Sequence, residues 1–244
     1  MAAVLIRSRR RTAAALAAAA LVLSLPAPPA VAARDASPVG RRVVMVVQMN
    51  GPSRAADERI AGHLGSRGFE VAMIDQHEPA ERASGADLVV ISSSVAAKDV
   101  GPGWRQLALP LLTWENDLLD DLAMTGKRHD LDFGEVGKER YLWLVNAPHP
   151  MAAGVPAGVV NVYARQAGMS WGRPGLGAVT IATIYGQPDK AAIFGYERGA
   201  TMDYEALAPA RRVMFFLDND SFDNLAPVGR QLFDAAVDWA IGLR

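Results

Sequence analysis

The alternation of short apolar runs with helical patterns is the feature that most constrains how this chain can fold. The run RRVVMVVQ (Arg41–Gln48) is continuous and rich in β-branched residues, which is typical of a central parallel strand buried on both faces. A helical pattern follows over Ser53–Gly68, with Ser53 as the N-cap and glycines closing it. Further strands are predicted at Phe69–Asp75, Ala86–Ser94 and Pro110–Trp114. This order predicts a doubly wound α/β sheet.

The second half of the chain contains shorter strand patterns separated by Gly, Pro and Asp turns. A helix is predicted directly after the fourth strand, over ENDLLDDLA. Another is predicted over Val228–Gly242, where an apolar stripe faces charged residues. No repeat or long linker divides this region, so we expect one domain over residues 42–244. Its predicted fold is flavodoxin-like, with a mostly parallel sheet and helices on both faces.

The N-terminal residues have the pattern of an export signal. Arg7–Arg11 are largely basic, Thr12–Leu25 are apolar, and Pro26–Ala33 contain small residues suited to cleavage. The apolar stretch is shorter than the about 20 residues that a membrane-spanning helix needs, although a retained anchor is the alternative. We therefore predict a signal peptide over residues 1–33, a flexible lead over 34–41, and a secreted, periplasmic or cell-surface protein.

The charge and the cysteine count exclude several kinds of function. The chain has 25 basic and 26 acidic residues, and removal of four signal arginines leaves 21 − 26 = −5. Such a chain lacks the basic patch that nucleic acids and anionic membranes require, so we expect neither as a partner after signal cleavage. Cysteine is absent, which excludes disulfides, thiolate metal ligands and cysteine nucleophiles. We expect no cofactor and no metal.

Four stretches carry a resemblance to a known family: ADLVVISSS, PLLTWE, HPMAAGV, and the pairing of AAIFGYERGA…ARRVMFFL with the terminal FDAAVDWAIG. Together they resemble the class I glutamine amidotransferase-like superfamily, and within it the trehalose-utilisation-type branch. The chain also looks like a group of secreted bacterial domains found beside carbohydrate-active modules. The resemblance implies a flavodoxin-like sandwich and a cysteine nucleophile at the corner after the fourth strand. Here that corner contains Trp114 and Glu115, so the thiol chemistry is not expected.

A ligand crevice is predicted at the carboxyl ends of the parallel strands, where strand order reverses. We expect polar and aromatic side chains to gather there and to bind a small polar ligand, with a sugar the favoured class, through hydrogen bonds and ring stacking. The alternative is that the serines cap helices and form turns. Trp171, in a glycine-rich stretch predicted as a loop, is a further ligand platform if exposed. The ligand-binding candidates are Asn50, Ser92, Ser94, Trp114, Asn116 and Trp171.

Three residues are the catalytic candidates. Glu115, beside Trp114, is expected to have a raised pKa and to act as a general acid or base, unless it only holds the corner. Ser93 is the alternative working group, and His149 would assist either of them. The loop DNDSFDN does not fit an EF-hand because Phe222 and Asp223 take its fifth and sixth positions; a loose calcium site and helix capping are the alternatives.

The sequence therefore favours a non-catalytic, amidotransferase-like binding domain over an enzyme. A hydrolase acting on a sugar or an amide is the second hypothesis. A structural or assembly module, which would bury the crevice rim against a partner, is the third. The oligomeric state is left open.

Overall fold

The computed structural model describes residues 37–243. The predicted signal peptide and the start of the predicted lead lie outside the described residues. Within residues 37–243, no helix combines the length and the apolar character needed to cross a membrane.

The first part of the chain forms the predicted parallel sheet. Strands β1 (Arg42–Val47), β2 (Glu70–Asp75), β3 (Leu88–Ile91) and β4 (Leu111–Thr113) lie in the order β2-β1-β3-β4, and every neighbouring pair among them is parallel. Helix α1 (Arg54–Ser66) joins β1 to β2. Because the chain leaves β1 toward one side and returns at β3 on the other, the order reverses between these strands, as in a flavodoxin-like fold.

The second part of the chain corrects the expectation of a mostly parallel sheet. Its strands, in chain order, are β5 (Phe133–Glu139), β6 (Tyr141–Leu144), β7 (Gly158–Asn161), β8 (Ala167–Gly172), β9 (Val179–Ile184), β10 (Gln187–Tyr196) and β11 (Arg212–Met214). Only β11 joins the parallel half, beside β4. The path then continues β10-β9-β6-β7 with antiparallel pairs, while β5 and β8 form an antiparallel pair that branches from β10.

Short connections account for part of the antiparallel half. Parallel neighbours need crossovers of a dozen or more residues, whereas hairpins need only a few. Strands β9 and β10 are separated by two residues, and Gly186 in that turn has a φ of 73°. The longer connections from β6 to β7 and from β10 to β11 also join antiparallel strands, although their length would permit a crossover. The described structure remains α/β and consistent with a flavodoxin-like core, with fewer helices than expected.

The predicted helices on both faces are also only partly present. Helix α1 and the terminal helix α3 (Pro227–Ala240) share one face, where His63 Nε2 lies 2.7 Å from Asp234 Oδ1. The other face is covered by the four-residue helix α2 (Gly103–Gln106) and by 3₁₀ turns. The predicted helix after β4 does not form: a 3₁₀ turn at Asn116–Leu118 gives way to turns, and Ala123 has a left-handed φ of 57°, which a continuing α-helix does not permit.

A buried arginine holds the segment that leads into β4. Arg212 in β11 has no exposed surface, and its guanidinium donates to the carbonyl oxygens of Leu107 and Leu109 at 2.7 Å each. Burial lowers its pKa to about 10. Backbone carbonyls thus take the place of a carboxylate around this cation, and they fix the approach to the corner that follows β4.

Candidate functional site

The corner after β4 is an ordinary extended turn and not a nucleophile elbow. Glu115 has φ −80° and ψ 106°, and no residue from Thr113 to Asn116 has a positive φ. Thr113 Oγ1 donates to the Ile91 carbonyl at 3.0 Å and accepts from the Glu115 N–H at 3.0 Å. A nucleophile elbow requires a strained strand-to-helix turn. The corner therefore lacks the backbone geometry of the thiol enzymes as well as the cysteine.

The two tryptophans expected at the ligand site are buried. Trp114 has no exposed surface and packs edge-on against Phe233 of α3, with ring centroids 6.1 Å apart. Trp171 is 2% exposed and belongs to strand β8, not to a loop; the ammonium of Lys190 covers its ring. Neither ring offers a free face for stacking, so the expectation that these tryptophans stack on a ligand is corrected.

The serines after β3 bind an acidic residue that was not among the candidates. Ser92 Oγ and Ser94 Oγ each donate to the carboxylate of Asp57 at 2.6 Å, and Asp57 is fully buried in α1. Burial raises the pKa of Asp57, and the two hydroxyl hydrogen bonds oppose this effect. Asp57 precedes Ile60 by three positions and so lies on the apolar stripe of the helix. That position was the sequence signal that could have identified Asp57 as a buried residue.

The other two predicted residues at this edge have different environments. Ser93 is 7% exposed, and its Oγ has no hydrogen-bond partner within the described part of the chain. Asn50 is exposed in the turn that follows β1. Two of the three serines are therefore committed to Asp57, which leaves only Ser93 with an unused hydroxyl.

Glu115 lies in a strongly perturbed environment, as the sequence predicted. It is 5% exposed, and its Oε1 accepts from the Asp117 N–H at 2.9 Å. Burial raises its pKa to about 8, and the negative charges of Asp117, Glu135 and Asp218 add to this effect, while the Asp117 N–H opposes it. The carboxyl group is therefore largely protonated at neutral pH and can donate a hydrogen bond there.

Glu115 belongs to a group of residues that we call the acidic rim: Glu115, Asn116, Glu135 and Asp218. Glu135 Oε1 accepts from Asn116 Nδ2 at 3.2 Å. Partial burial of the Glu135 carboxyl raises its pKa, and the charges of Asp218 and Asp117 raise it further. The carboxylate of Asp218 lies against Gly168 in β8, where any Cβ would collide with it. Only Glu115 and Asn116 of this group were predicted, because Glu135 and Asp218 come from segments far along the chain.

A polar cleft of about 580 Å³ lies beside the acidic rim. Asp218 belongs to both the rim and the cleft. Asp220 also lines the cleft, and its charge raises the pKa of Asp57, so the cleft adjoins the hydrogen bonds that Ser92 and Ser94 donate to Asp57. None of the catalytic or ligand-binding candidates lines it, although the loop considered as a loose calcium site does. The polar lining comes from Arg165, Gln166, Asp218, Asn219, Asp220, Ser221 and Asn224.

His149 lies at the opposite edge of the sheet from Glu115. Strand β11 is parallel to β4, and three antiparallel steps lead from β11 to β6, so the chain leaves β6 at the amino ends of the parallel strands. His149 follows β6 there, packs against Trp239 at 5.3 Å between ring centroids, and accepts from the Met151 N–H through Nδ1. Burial lowers its pKa. The structure thus separates it from the other candidate residues, and it caps a 3₁₀ turn.

Metal binding finds no support in the described geometry. Among residues 37–243, no three or more His, Cys, Asp or Glu side chains are grouped to hold a metal ion. Asp218 and Asp220 instead form part of a turn in which the Asp218 N–H donates to Ser221 Oγ at 2.8 Å. The acidic rim is therefore best described as a set of hydrogen-bonding carboxyl groups.

The described chain is an α/β protein with Trp114 and Glu115 at the corner after β4. The fold is similar to that of a protein from Thermoplasma acidophilum that is proposed to belong to a GMP synthase. The TM-score is 0.51 and the sequence identity is 14%, over 83% of this chain and 94% of that chain. No protein-family model and no curated protein matches this chain. The likeness shows the fold alone.

Proposed function

We propose that this chain is an amidotransferase-like domain without thiol chemistry that binds a small polar ligand at the acidic rim and its cleft. The observation that carries the proposal is the convergence of Glu115, Glu135 and Asp218 at the carboxyl ends of the central strands. Open α/β sheets bind their ligands at this edge. Glu115, whose pKa is raised to about 8, can donate a hydrogen bond at neutral pH, and the oxygens of the neighbouring carboxyl groups can accept, which suits a hydroxyl-rich molecule.

The finer assignments rest on the sequence. The four stretches that resemble the superfamily support the trehalose-utilisation-type branch, and they favour a carbohydrate among polar ligands. The N-terminal pattern of basic, apolar and small residues supports an exported domain that meets its ligand outside the cell membrane. With both tryptophans buried, recognition would depend on hydrogen bonds from the rim and the cleft instead of on ring stacking.

A thermal-shift screen of sugars, nucleotides and divalent ions on the full chain tests the proposal. A ligand at 100 times its Kd stabilises a protein by about 2.7 kcal/mol, or roughly 5–10 °C in a domain of this size. We expect the shift to disappear in Asp218→Asn, which changes the cleft. It should persist in the matched control Glu70→Gln, at an exposed position where β2 begins. A shift that survives Asp218→Asn, or the absence of any polar ligand that shifts Tm, would reject this site.

A hydrolase is the second candidate, and the raised pKa of Glu115 favours it. A carboxyl group that is protonated at neutral pH can act as a general acid toward a leaving group, with Glu135 or Asp218 as the second carboxyl group. His149 would take no part because it lies at the opposite edge. We expect any turnover of chromogenic glycosides or amides to decline as pH rises above about 8 and to be lost in Glu115→Gln. Activity that persists in the variant would exclude this mechanism.

The third hypothesis, an assembly module, would use a different surface from the predicted rim. The exposed apolar side chains include Trp143, Val145, Val159 and Tyr185, and the rings of Trp143 and Tyr185 stack at 6.4 Å. These residues lie on or beside the antiparallel strands β6, β7 and β9. The rim itself is polar, so we rank a binding domain above an assembly module.

A further inference from the structure

A second cavity lies on the face of the sheet opposite to α1 and α3. It has a volume of about 290 Å³ and is formed by the segment that contains α2 together with the turns that follow β4. Its apolar walls include residues of the core on that face, among them Leu118 and Leu122. Its polar and aromatic lining comprises Lys98, Trp104, Arg105, Asp120, Asp121 and Lys127. We call it the α2 cavity.

Two residues that line the α2 cavity have buried hydrogen-bond donors without an acceptor. Trp104 is 1% exposed, and neither its Nε1–H nor the buried Nε–H of Arg105 has a partner within residues 37–243. A buried donor without an acceptor costs about 1–3 kcal/mol, so such groups in native proteins call for an explanation. Trp114 and Trp171 also have unpartnered indole N–H groups. Only Trp104 has a second such donor adjacent in sequence and lining the same cavity.

The charges around the α2 cavity favour an anion. Lys98 and Lys127 are exposed and, like Arg105, form no ion pair with another described residue; the Lys127 ammonium lies 5.1 Å from the centroid of the Tyr204 ring. Two carboxylates, from Asp120 and Asp121, oppose these three cations. The lining therefore has one more positive than negative group.

We propose that the α2 cavity is a second ligand site and that it takes a small molecule carrying an oxyanion, either a carboxylate or a phosphate. One anionic oxygen would accept hydrogen bonds from Trp104 Nε1 and Arg105 Nε, and the lysines would neutralise the charge. Asp120 and Asp121 would accept from a hydroxyl or amino group on the same molecule. A volume of about 290 Å³ admits roughly ten non-hydrogen atoms, given about 30 Å³ for each water-sized group.

The test is a titration of the ¹⁵N-labelled full chain with inorganic phosphate and, separately, with acetate. The indole N–H signals of the five tryptophans are followed by NMR. We expect one indole signal to shift saturably and to be absent from the spectrum of Trp104→Phe. The anion with the lower Kd identifies the class of oxyanion.

The variant Lys98→Gln/Lys127→Gln changes only exposed positions and keeps the fold. It should raise the Kd roughly tenfold or more, as expected for charge-assisted hydrogen bonds. The control Lys138→Gln, which removes an exposed lysine outside the cavity, should leave the Kd unchanged. If neither anion moves the Trp104 signal, the proposal is wrong. It is also wrong if the shift is linear in concentration or if the lysine double variant binds as the natural chain does.

Discussion

Ionisation of Glu115 should make this protein lose stability as the pH rises. In the folded state burial raises the pKa of Glu115 from 4.5 to about 8, so the folded state holds a proton that the unfolded state releases. A raised carboxyl pKa contributes stability that is fully present below pH 4.5 and is lost as the pH increases through about 8. At about 1.4 kcal/mol for each unit of pKa difference, the loss attributable to this group between pH 5 and pH 8 is about 3–4 kcal/mol.

The measurement is urea denaturation of the full chain and of Glu115→Gln at several values between pH 5 and pH 8, followed by circular dichroism. Glutamine retains the oxygen that accepts from the Asp117 N–H but cannot ionise, so the natural chain should lose about 3–4 kcal/mol more than the variant over this range. Taking the difference removes the contribution of Asp57, whose pKa is also raised. Glu70→Gln is the control and should follow the natural chain. Equal pH dependence for the natural chain and Glu115→Gln, within about 1 kcal/mol, would refute the buried neutral carboxyl group.

Three further predictions concern the free energy of unfolding, measured by denaturation. Ser92→Ala should cost about 1–3 kcal/mol because buried Asp57 loses a hydroxyl donor; a cost below about 0.5 kcal/mol would contradict the network. Arg212→Met should cost about 3–5 kcal/mol because it leaves buried carbonyl oxygens without donors, and a neutral effect would show that other donors replace the guanidinium. Trp114→Ala should cost about 3–5 kcal/mol as a core truncation, whereas Trp143→Ala on the exposed face should cost less than about 1 kcal/mol; similar costs would mean that Trp114 is not core.

The parallel half of the fold could be predicted because its signals are local. The run over Val43–Val47 is apolar on both faces, and Gly65 and Gly68 mark the end of the following helix. The helix predicted after β4 failed for an equally local reason. Asp120 and Asp121 interrupt its apolar pattern. Ala123 adopts a left-handed conformation, which an alanine in the sequence does not predict.

Only the site residues that lie next to the end of strand β4 could be predicted from the sequence. Glu115 lies two residues after the end of β4, and its perturbed pKa could be anticipated from the buried corner. Glu135 and Asp218 reach the same place through the β5–β8 pair and the loop after β11, and their approach depends on antiparallel pairing that no local pattern encodes. The exposure of Trp114 was wrongly anticipated because strand alternation alone does not say which face α3 covers.

The relaxed backbone at Glu115 has a consequence for how such a chain could change its chemistry. Installing a cysteine at this position would supply sulfur but leave the peptide at φ −80°, well outside the left-handed region. A catalytic thiol at this corner would therefore require rebuilding the whole bend, including Trp114 and the turn after it. A single substitution to cysteine would leave the relaxed turn unchanged, so side chain and backbone would both have to change before a thiol could act here.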